Sequence, residues 1–387
     1  MKTVIGLEKF IMKDGMPYQK ARLGLLANQA SVGHDYVHAI ELIDEALPGA
    51  VAELFGPQHG WAGEKQDNMV ESAHGRDRQG RPVYSLYGET RRPTAEMLAG
   101  LDALVVDLVD VGTRVYTFAH TMSHCLEEAG KAGLEVIILD RPNPIGGVET
   151  EGNLLSDNCR SFVGLHPIPM RHGLTLGELA LLINRRLEKP APLKIVGCEG
   201  WRREMYFTDT SLPWVYPSPN LPTLECAWVY PGQVLWEGTN ISEARGTTRP
   251  FNLVGAPFID AEKLFQRLKM LDLPGFKFRE ADFQPTFHKW AGEMCHGLEL
   301  FPVDKSFKPY LTSLAILQII LEEWPDDFKL KEPPYEYEFD RRPIDLILGR
   351  TDIFDRLASG ESAESVEKTW LPDLERFNQT KSEILLY

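Results

Sequence analysis

The sequence predicts an α/β protein: a Rossmann-like, mostly parallel sheet followed by a second, smaller C-terminal α/β domain. Apolar runs of strand length alternate with helical patterns through the first half of the chain, which is the signature of βαβ units. Those runs are continuously apolar rather than alternating, as strands covered on both faces should be. The chain has 387 residues, enough at about 150 per domain for two domains or for one large domain with an appendage.

In chain order, the expected strands are residues 22–27 (RLGLLA), 51–55 (VAELF), 103–109 (ALVVDLV) and 134–139 (LEVIIL), each ending in polar or turn residues. Between the last two, residues 116–131 read as a helix with Phe118, Met122, Cys125, Leu126 and Ala129 on one face. Gly133 stops it. Thr175 and Glu178 form a capping box for a second helix that runs through Leu187, with Pro190 after its end. From Trp214 to Phe251 the sequence becomes dense in Pro, Gly, Asn, Thr and aromatics with little periodicity. Long irregular segments of this kind usually carry function. Helical patterns return after Asp260, followed by an aromatic-rich stretch to Pro302, a helix near residues 313–323 and a helical C-terminus. Residues 329–340 (KLKEPPYEYEFD) read as a charged, proline-containing loop. The expected domains are residues 1–250, carrying most of the site loops, and 251–387, closing a cleft.

Hydrophobic residues make up 43% and charged residues 25%, the balance of a folded globular chain. Lys plus Arg is 41 against 56 Asp plus Glu, a net charge of −15. That sign repels phosphate backbones and anionic lipid, so neither nucleic acid nor a membrane is an expected partner. No run approaches the roughly 18 apolar residues of a membrane span. The opening MKTVIGLEKF lacks the apolar core of a signal peptide. Five scattered cysteines without a CxxC pair fit reduced thiols, so the expected location is the cytoplasm.

The chain contains no GxGxxG, GxxxxGK[ST], GxSxG or HExxH, so the nucleotide, hydrolase-elbow and zincin readings lack their physical core. No cofactor and no metal are expected. His120 and His124 have the i, i+4 spacing of metal ligands but no third ligand nearby, and read as an ordinary helix face. His34 and His38 repeat the spacing and read as solvated.

In an open parallel sheet the ligand crevice lies beyond the carboxyl ends of the strands. The segments after three of the strands are correspondingly polar: Gln58, His59 and Glu64; Asp110, Arg114 and Tyr116; Asp140, Arg141 and Asn143. The PMRHG segment adds Arg171 and His172, and the irregular segment adds Asn220, Glu237, Asn240, Glu243 and Arg245. Carboxylates, amides, an imidazole and aromatic rings without a nucleotide loop suit a hydroxyl-rich substrate such as a sugar. Glycoside hydrolysis takes two carboxyl groups, one protonated and one ionised; the candidates are Glu64, Asp107, Asp110, Glu237 and Glu243, and Glu64, Asp110 and Glu237 are the expected ones. Each also has a structural reading: helix capping for Asp110, an ion pair with Arg245 or Arg249 for Glu237. Arg114 and Arg171 are candidates to clamp a substrate carboxylate, or to neutralise a buried Asp.

These stretches resemble the NamZ-type exo-β-N-acetylmuramidase family. The resemblance runs through LGLLANQAS, FGPQHG, PVYSLYGETRRPTAEML, VVDLVDVGTRVYTF, ILDRPNPIGG, PMRHGLTLGELA, PSPNLPT and WEGTNISEARGTTRPF. It implies a Rossmann-like N-terminal domain, a smaller C-terminal α/β domain and an active site between them. It also implies release of N-acetylmuramic acid from the non-reducing end of peptidoglycan fragments, with no metal or nucleotide, and gives Arg114 or Arg171 the lactyl carboxylate as partner. The position of Gln58 is commonly Glu in the family, where it is a leading catalytic candidate. Gln has no acidic proton to give, so either the role passes to Glu64, Asp110 or Glu237, or the chain is a non-catalytic or altered-specificity binder of wall sugars. Without an export signal, the expected substrate is a recycled wall fragment inside the cell.

Overall fold

A computed structural model of the chain describes residues 2–67 and 69–387. Its strands are β1 (Leu23–Ala27), β2 (Val51–Gly56), β3 (Gly75–Arg76), β4 (Pro82–Ser85), β5 (Ala103–Asp107), β6 (Glu135–Leu139), β7 (Glu151–Leu154), β8 (Pro169–Arg171), β9 (Leu193–Val196), β10 (Leu253–Ala256), β11 (Phe276–Phe283) and β12 (Cys295–Pro302). Seven of them form one sheet in the order β3-β4-β2-β1-β5-β6-β9. Only its edge strand β3 runs antiparallel to its neighbour; all other pairings are parallel.

The apolar runs are continuous because this sheet is buried on both faces. Successive side chains point to opposite faces, so Leu25, Val105 and Ile137 join one core with Ile5, Phe10 and Ile43, while Leu26, Val106 and Ile138 join the other. Leu25 is fully buried, and truncating a side chain of that kind to Ala costs about 2–5 kcal/mol. The larger core continues without a break into the second half of the chain, taking in Leu298, Leu314 and Ile344. There an antiparallel sheet, β10-β12-β11, carries the helix Ala261–Lys269, which packs in turn on the helix Pro309–Glu323. β7 and β8 form a separate antiparallel pair, packed by β7 against the helices Pro309–Glu323 and Leu371–Ser382.

The four expected strands are present, and the capping box forms: the Thr175 hydroxyl accepts from Glu178 N at 3.2 Å and Glu178 Oε2 accepts from Thr175 N at 3.0 Å. The helix it opens spans Leu176–Asn184, ending short of Leu187. Residues 214–251 are not wholly irregular. Thr223 caps a helix over Leu224–Gln233 that holds Pro231, followed by a 3₁₀ turn at Val234–Gly238. Nor are His34 and His38 solvated: His34 pairs with Glu8, and His38 bonds the Asn28 carbonyl at 2.8 Å. Among the described residues no helix is long and apolar enough to cross a membrane.

Candidate active site

Beyond the carboxyl ends of β2 and β5 a pocket is lined by Gln58, His59, Val115, Tyr116, Thr117, Val163, Ser218, Asn220, Leu221, Tyr230, Glu237, Arg245, Phe251, Tyr335 and Glu336. Its walls come from both halves of the chain. The loop after β2 brings Gln58 and His59. The segment after β5 ends at Thr117, which precedes the helix Phe118–Ala132, and a tight turn inserts Glu336 from the far side. The free space inside is about 40 Å³, room for little more than a water molecule.

Glu336 sits at the tip of a hairpin. Tyr335 and Glu338 exchange backbone hydrogen bonds of 3.0 and 2.9 Å, and both residues between them have positive φ, 46° for Glu336 and 65° for Tyr337. Such mirror-image turns normally take Gly, Asn or Asp. His59 (φ 71°) and Phe251 (φ 62°) share the left-handed conformation, so strained backbone gathers at the lining of this pocket. Sites where function constrains the chain commonly store strain in this way. The hairpin reaches Glu237 because the stretch before it is laced to the segment after Glu237: Lys331 N donates to the Gly238 carbonyl and Asn240 N to the Lys329 carbonyl, both at 2.9 Å.

The two carboxyl groups have unlike surroundings. Glu336 Oε1 accepts from Gln58 Nε2 at 3.1 Å, and its Oε2 accepts from the Tyr87 hydroxyl at 2.6 Å. Burial, reinforced by the Glu237 charge, pushes Glu336 above the ordinary carboxyl range against the opposing bonds from Tyr87 and Gln58. Glu237 Oε1 pairs with the Arg245 guanidinium, and its Oε2 accepts from the Tyr335 hydroxyl at 2.8 Å. Behind it Glu243 is fully buried between Lys289, at 2.7 Å, and Arg245, at 3.5 Å. Burial works to raise Glu243, yet these cations hold it at about 2. Arg245 also bonds Asp67 at 2.9 Å. Against the effect of burial, Glu237, Glu243 and Asp67 keep Arg245 above its usual value.

Gln58 is oriented by its neighbours: its Oε1 accepts from the Thr117 hydroxyl at 2.5 Å, which leaves its amide N–H groups for Glu336 and Tyr87. His59 donates from Nδ1 to the Lys65 carbonyl at 2.7 Å, so its Nε2 accepts from Ser218 at 3.1 Å. Burial lowers His59 to about 4, and a neutral imidazole so engaged orients Ser218. The buried Tyr116 hydroxyl has no hydrogen-bond partner among the described residues, and burial raises it well above its usual value. Asn220 exchanges hydrogen bonds with Gln66 at 3.0 and 2.9 Å.

The family models for exo-beta-N-acetylmuramidase NamZ match this chain, the N-terminal one over residues 23–225 and the C-terminal one over residues 228–387. The chain belongs to the NamZ family. A curated relative, peptidoglycan beta-N-acetylmuramidase NamZ of Bacillus subtilis (strain 168), is 41% identical over 387 residues, covering 100% of this chain and 92% of that protein. Two solved structures of DUF1343 family proteins from Bacteroides fragilis NCTC 9343 also match. One is 33% identical with a TM-score of 0.90, the other 26% identical with a TM-score of 0.78, and each comparison covers 100% of this chain and 99% of the other.

The NamZ-type motifs converge on the pocket only in part. Of the expected residues, Gln58, His59, Tyr116, Asn220, Glu237 and Arg245 line it, and Glu243 stands behind Arg245. The others do not. Glu64 is exposed on the loop after His59. Asp110 accepts from Gly112 N at 2.8 Å and faces His172 at 3.2 Å, a turn lock outside the lining. Arg114 is buried with its guanidinium on four backbone carbonyls, those of Asn153, Ile168, Ile347 and Leu348. Arg171 is buried on the carbonyls of Ile145 and Phe307 and on the Tyr206 hydroxyl. Both guanidiniums direct their terminal nitrogens to protein acceptors and line no part of the pocket, their buried Nε atoms alone being without a partner among the described residues, and neither neutralises an Asp; Arg141 does that, bidentate to Asp107 at 2.5 and 2.8 Å. Asn143 holds the Leu174 carbonyl at 2.9 Å, and Asn240 holds the Asp327 carbonyl at 2.9 Å. Sequence reading missed Glu336, Tyr335, Tyr87, Thr117, Ser218 and Tyr230. The available signal was the aromatic–acid alternation YEYE directly after Pro333 and Pro334.

Proposed function

We propose that this chain is an exo-β-N-acetylmuramidase, a glycoside hydrolase that releases N-acetylmuramic acid from the non-reducing end of peptidoglycan fragments, with Glu336 as its acid and Glu237 as its anion. The observation that carries the reading is that these two carboxyl groups line one pocket in opposite environments. One carboxyl group buried on neutral donors beside another paired with a cation is the pattern of acid/base assignment in glycosidases. Glu336, raised by burial, keeps its proton for the leaving glycosidic oxygen. Glu237, paired with Arg245, stabilises the positive charge that develops at the anomeric carbon. Water completes the hydrolysis, and its proton restores the acid. Gln58 then serves as a donor that holds Glu336 in place, so the amide at this position is compatible with catalysis.

Tyr116, Asn220 and Ser218 offer hydroxyl and amide groups to the sugar, and Tyr230 and Phe251 offer ring faces. A sugar ring needs several times the present free space, so the lining opens on binding. The five cysteines, all buried and free, support a reducing compartment, where the substrate is a soluble wall fragment. The test is turnover of a chromogenic N-acetylmuramide. Wild type hydrolyses it and Glu336→Gln does not; an inactive wild type, or an undiminished Glu336→Gln, overturns the assignment.

A further inference from the structure

A second cavity, of about 400 Å³, opens on the flank of the helix Phe118–Ala132, and none of its lining residues lines the catalytic pocket. Its lining sets three guanidinium groups, Arg92, Arg160 and Arg186, against one carboxylate, Glu127. Glu128 and Asp157 stand beside the lining, so among the described residues the guanidinium left uncompensated is Arg186. Arg92 is engaged by Glu127 at 2.5 Å and Glu128 at 3.1 Å, and Arg160 by Asp157 at 2.8 Å. Arg186 has no carboxylate partner among the described residues, and burial alone lowers it.

Two imidazoles complete the lining. His166 Nε2 lies 2.7 Å from the Ser123 hydroxyl. The His124 side chain is only 9% exposed, and its buried Nδ1 faces Glu127 Oε2 at 4.0 Å without a hydrogen-bond partner among the described residues. Burial, with the arginines beside them, lowers His124 to about 3 and His166 to about 4. Both are neutral at pH 7, so each carries one N–H donor and adds no charge. An exposed guanidinium without a carboxylate partner and a buried imidazole with an unsatisfied ring nitrogen line one basin, and an oxyanion bound there gains charge-assisted bonds from both.

We propose that this basin is an oxyanion-binding site that takes the phosphate or carboxylate group of a small ligand, with Arg186 and Arg160 supplying charge and His124 a hydrogen bond. A negative charge held there favours the protonated imidazoles, so occupancy raises the pKa of both histidines. Two probes distinguish the source of the oxyanion: inorganic phosphate, and a short peptide with free carboxylates, N-acetyl-alanyl-glutamate. Histidine side-chain NMR on the full chain reads each titration. His124 and His166 are expected to shift saturably while His59, in the catalytic pocket, stays in place. Arg186→Gln, an exposed substitution, is expected to weaken the binding about tenfold or more, the loss of one charge-assisted bond, with an unchanged melting temperature. Saturation by phosphate assigns the basin to a phosphate-bearing ligand, and saturation by the peptide to a carboxylate-bearing one. Saturation by neither, shifts confined to His59, or unaltered affinity in Arg186→Gln overturns the proposal.

Discussion

The hydroxyl of Tyr87 donates a 2.6 Å hydrogen bond to Oε2 of Glu336, joining residues 249 positions apart in the chain. Gln58 stands between them, donating to both, and Arg91 lies over the Tyr337 ring at 4.1 Å and the Tyr87 ring at 5.6 Å. The left-handed turn that presents Glu336 is thus held by contacts from the first half of the chain, and the acid is positioned only once both halves have met.

Tyr87→Phe removes a bond that favours the ionised form of Glu336 while leaving the ring in place. The pKa of Glu336 then rises further, and the alkaline limb of the kcat/KM profile is expected to move to higher pH. Glu336→Gln abolishes that limb and lowers kcat by about 10²-fold or more, the usual contribution of a positioned proton donor. A pH–rate series on the three proteins, with thermal melts to check folding, decides the matter. An unmoved limb in Tyr87→Phe would count against Glu336 as the titrating acid.

Gln58→Glu places a second carboxyl group where an amide now sits 3.1 Å from Glu336. Two acids at that separation do not both ionise; they share a proton and titrate as a pair. The expected outcome is an active enzyme whose alkaline limb is shifted upward and whose stability falls at high pH. Creation of activity from an inactive wild type would instead show that Gln58 had disabled the chain.

The four central strands were legible because burial on both faces leaves a continuous apolar run, and the helix after Thr175 because its capping box is local in sequence. The helix Leu224–Gln233 was not, since it is buried among other elements and has no amphipathic stripe to show. Arg114 looked like a ligand clamp by residue type. Its partners come from residues 153, 168, 347 and 348, and no spacing rule foretells carbonyls that converge from three segments. Glu336 was hidden for the same reason: a charged, proline-containing loop looks solvated until the hairpin is docked against Gly238 and Tyr87.

Arg114→Ala removes a donor from four buried carbonyls, of which that of Leu348 keeps Asn153 Nδ2 at 2.8 Å, at about 1–3 kcal/mol for each that stays unsatisfied. The expected result is a severe loss of melting temperature or of soluble protein. The folded fraction is expected to keep the wild-type KM for a muramyl substrate, because the guanidinium does not reach the pocket. Arg245→Gln is expected to behave oppositely, with a large fall in kcat, since it strips Glu237 of its counter-charge. Melting curves and steady-state kinetics on the pair separate scaffold from site, and a selective rise in KM for the muramyl sugar in Arg114→Ala would restore the clamp.

Glu151 makes the stability of the fold depend on pH. Its Oε1 accepts from Leu311 N at 2.8 Å, at the start of the helix Pro309–Glu323, while its buried Oε2 has no hydrogen-bond partner among the described residues. Burial raises it from 4.5 to about 7, against the Leu311 bond and the Arg171 charge that favour the ionised form. A carboxyl raised by folding binds its proton more tightly in the native state. Its contribution is therefore fully present below the unfolded value and is lost as pH rises through about 7. Glu151→Gln keeps an acceptor for Leu311 and carries no charge to bury. Its melting temperature is expected to decline less between pH 5 and 8 than that of the wild type, the remaining slope coming from Glu336 and from Asp140, which burial raises to about 6, with the largest advantage at pH 8. Glu243, held at about 2, works in the other direction: its contribution is present above the unfolded value and is lost as pH falls through about 2. Calorimetry across that range on wild type and Glu151→Gln reads the difference, and parallel curves would mean that Glu151 is not the group that titrates.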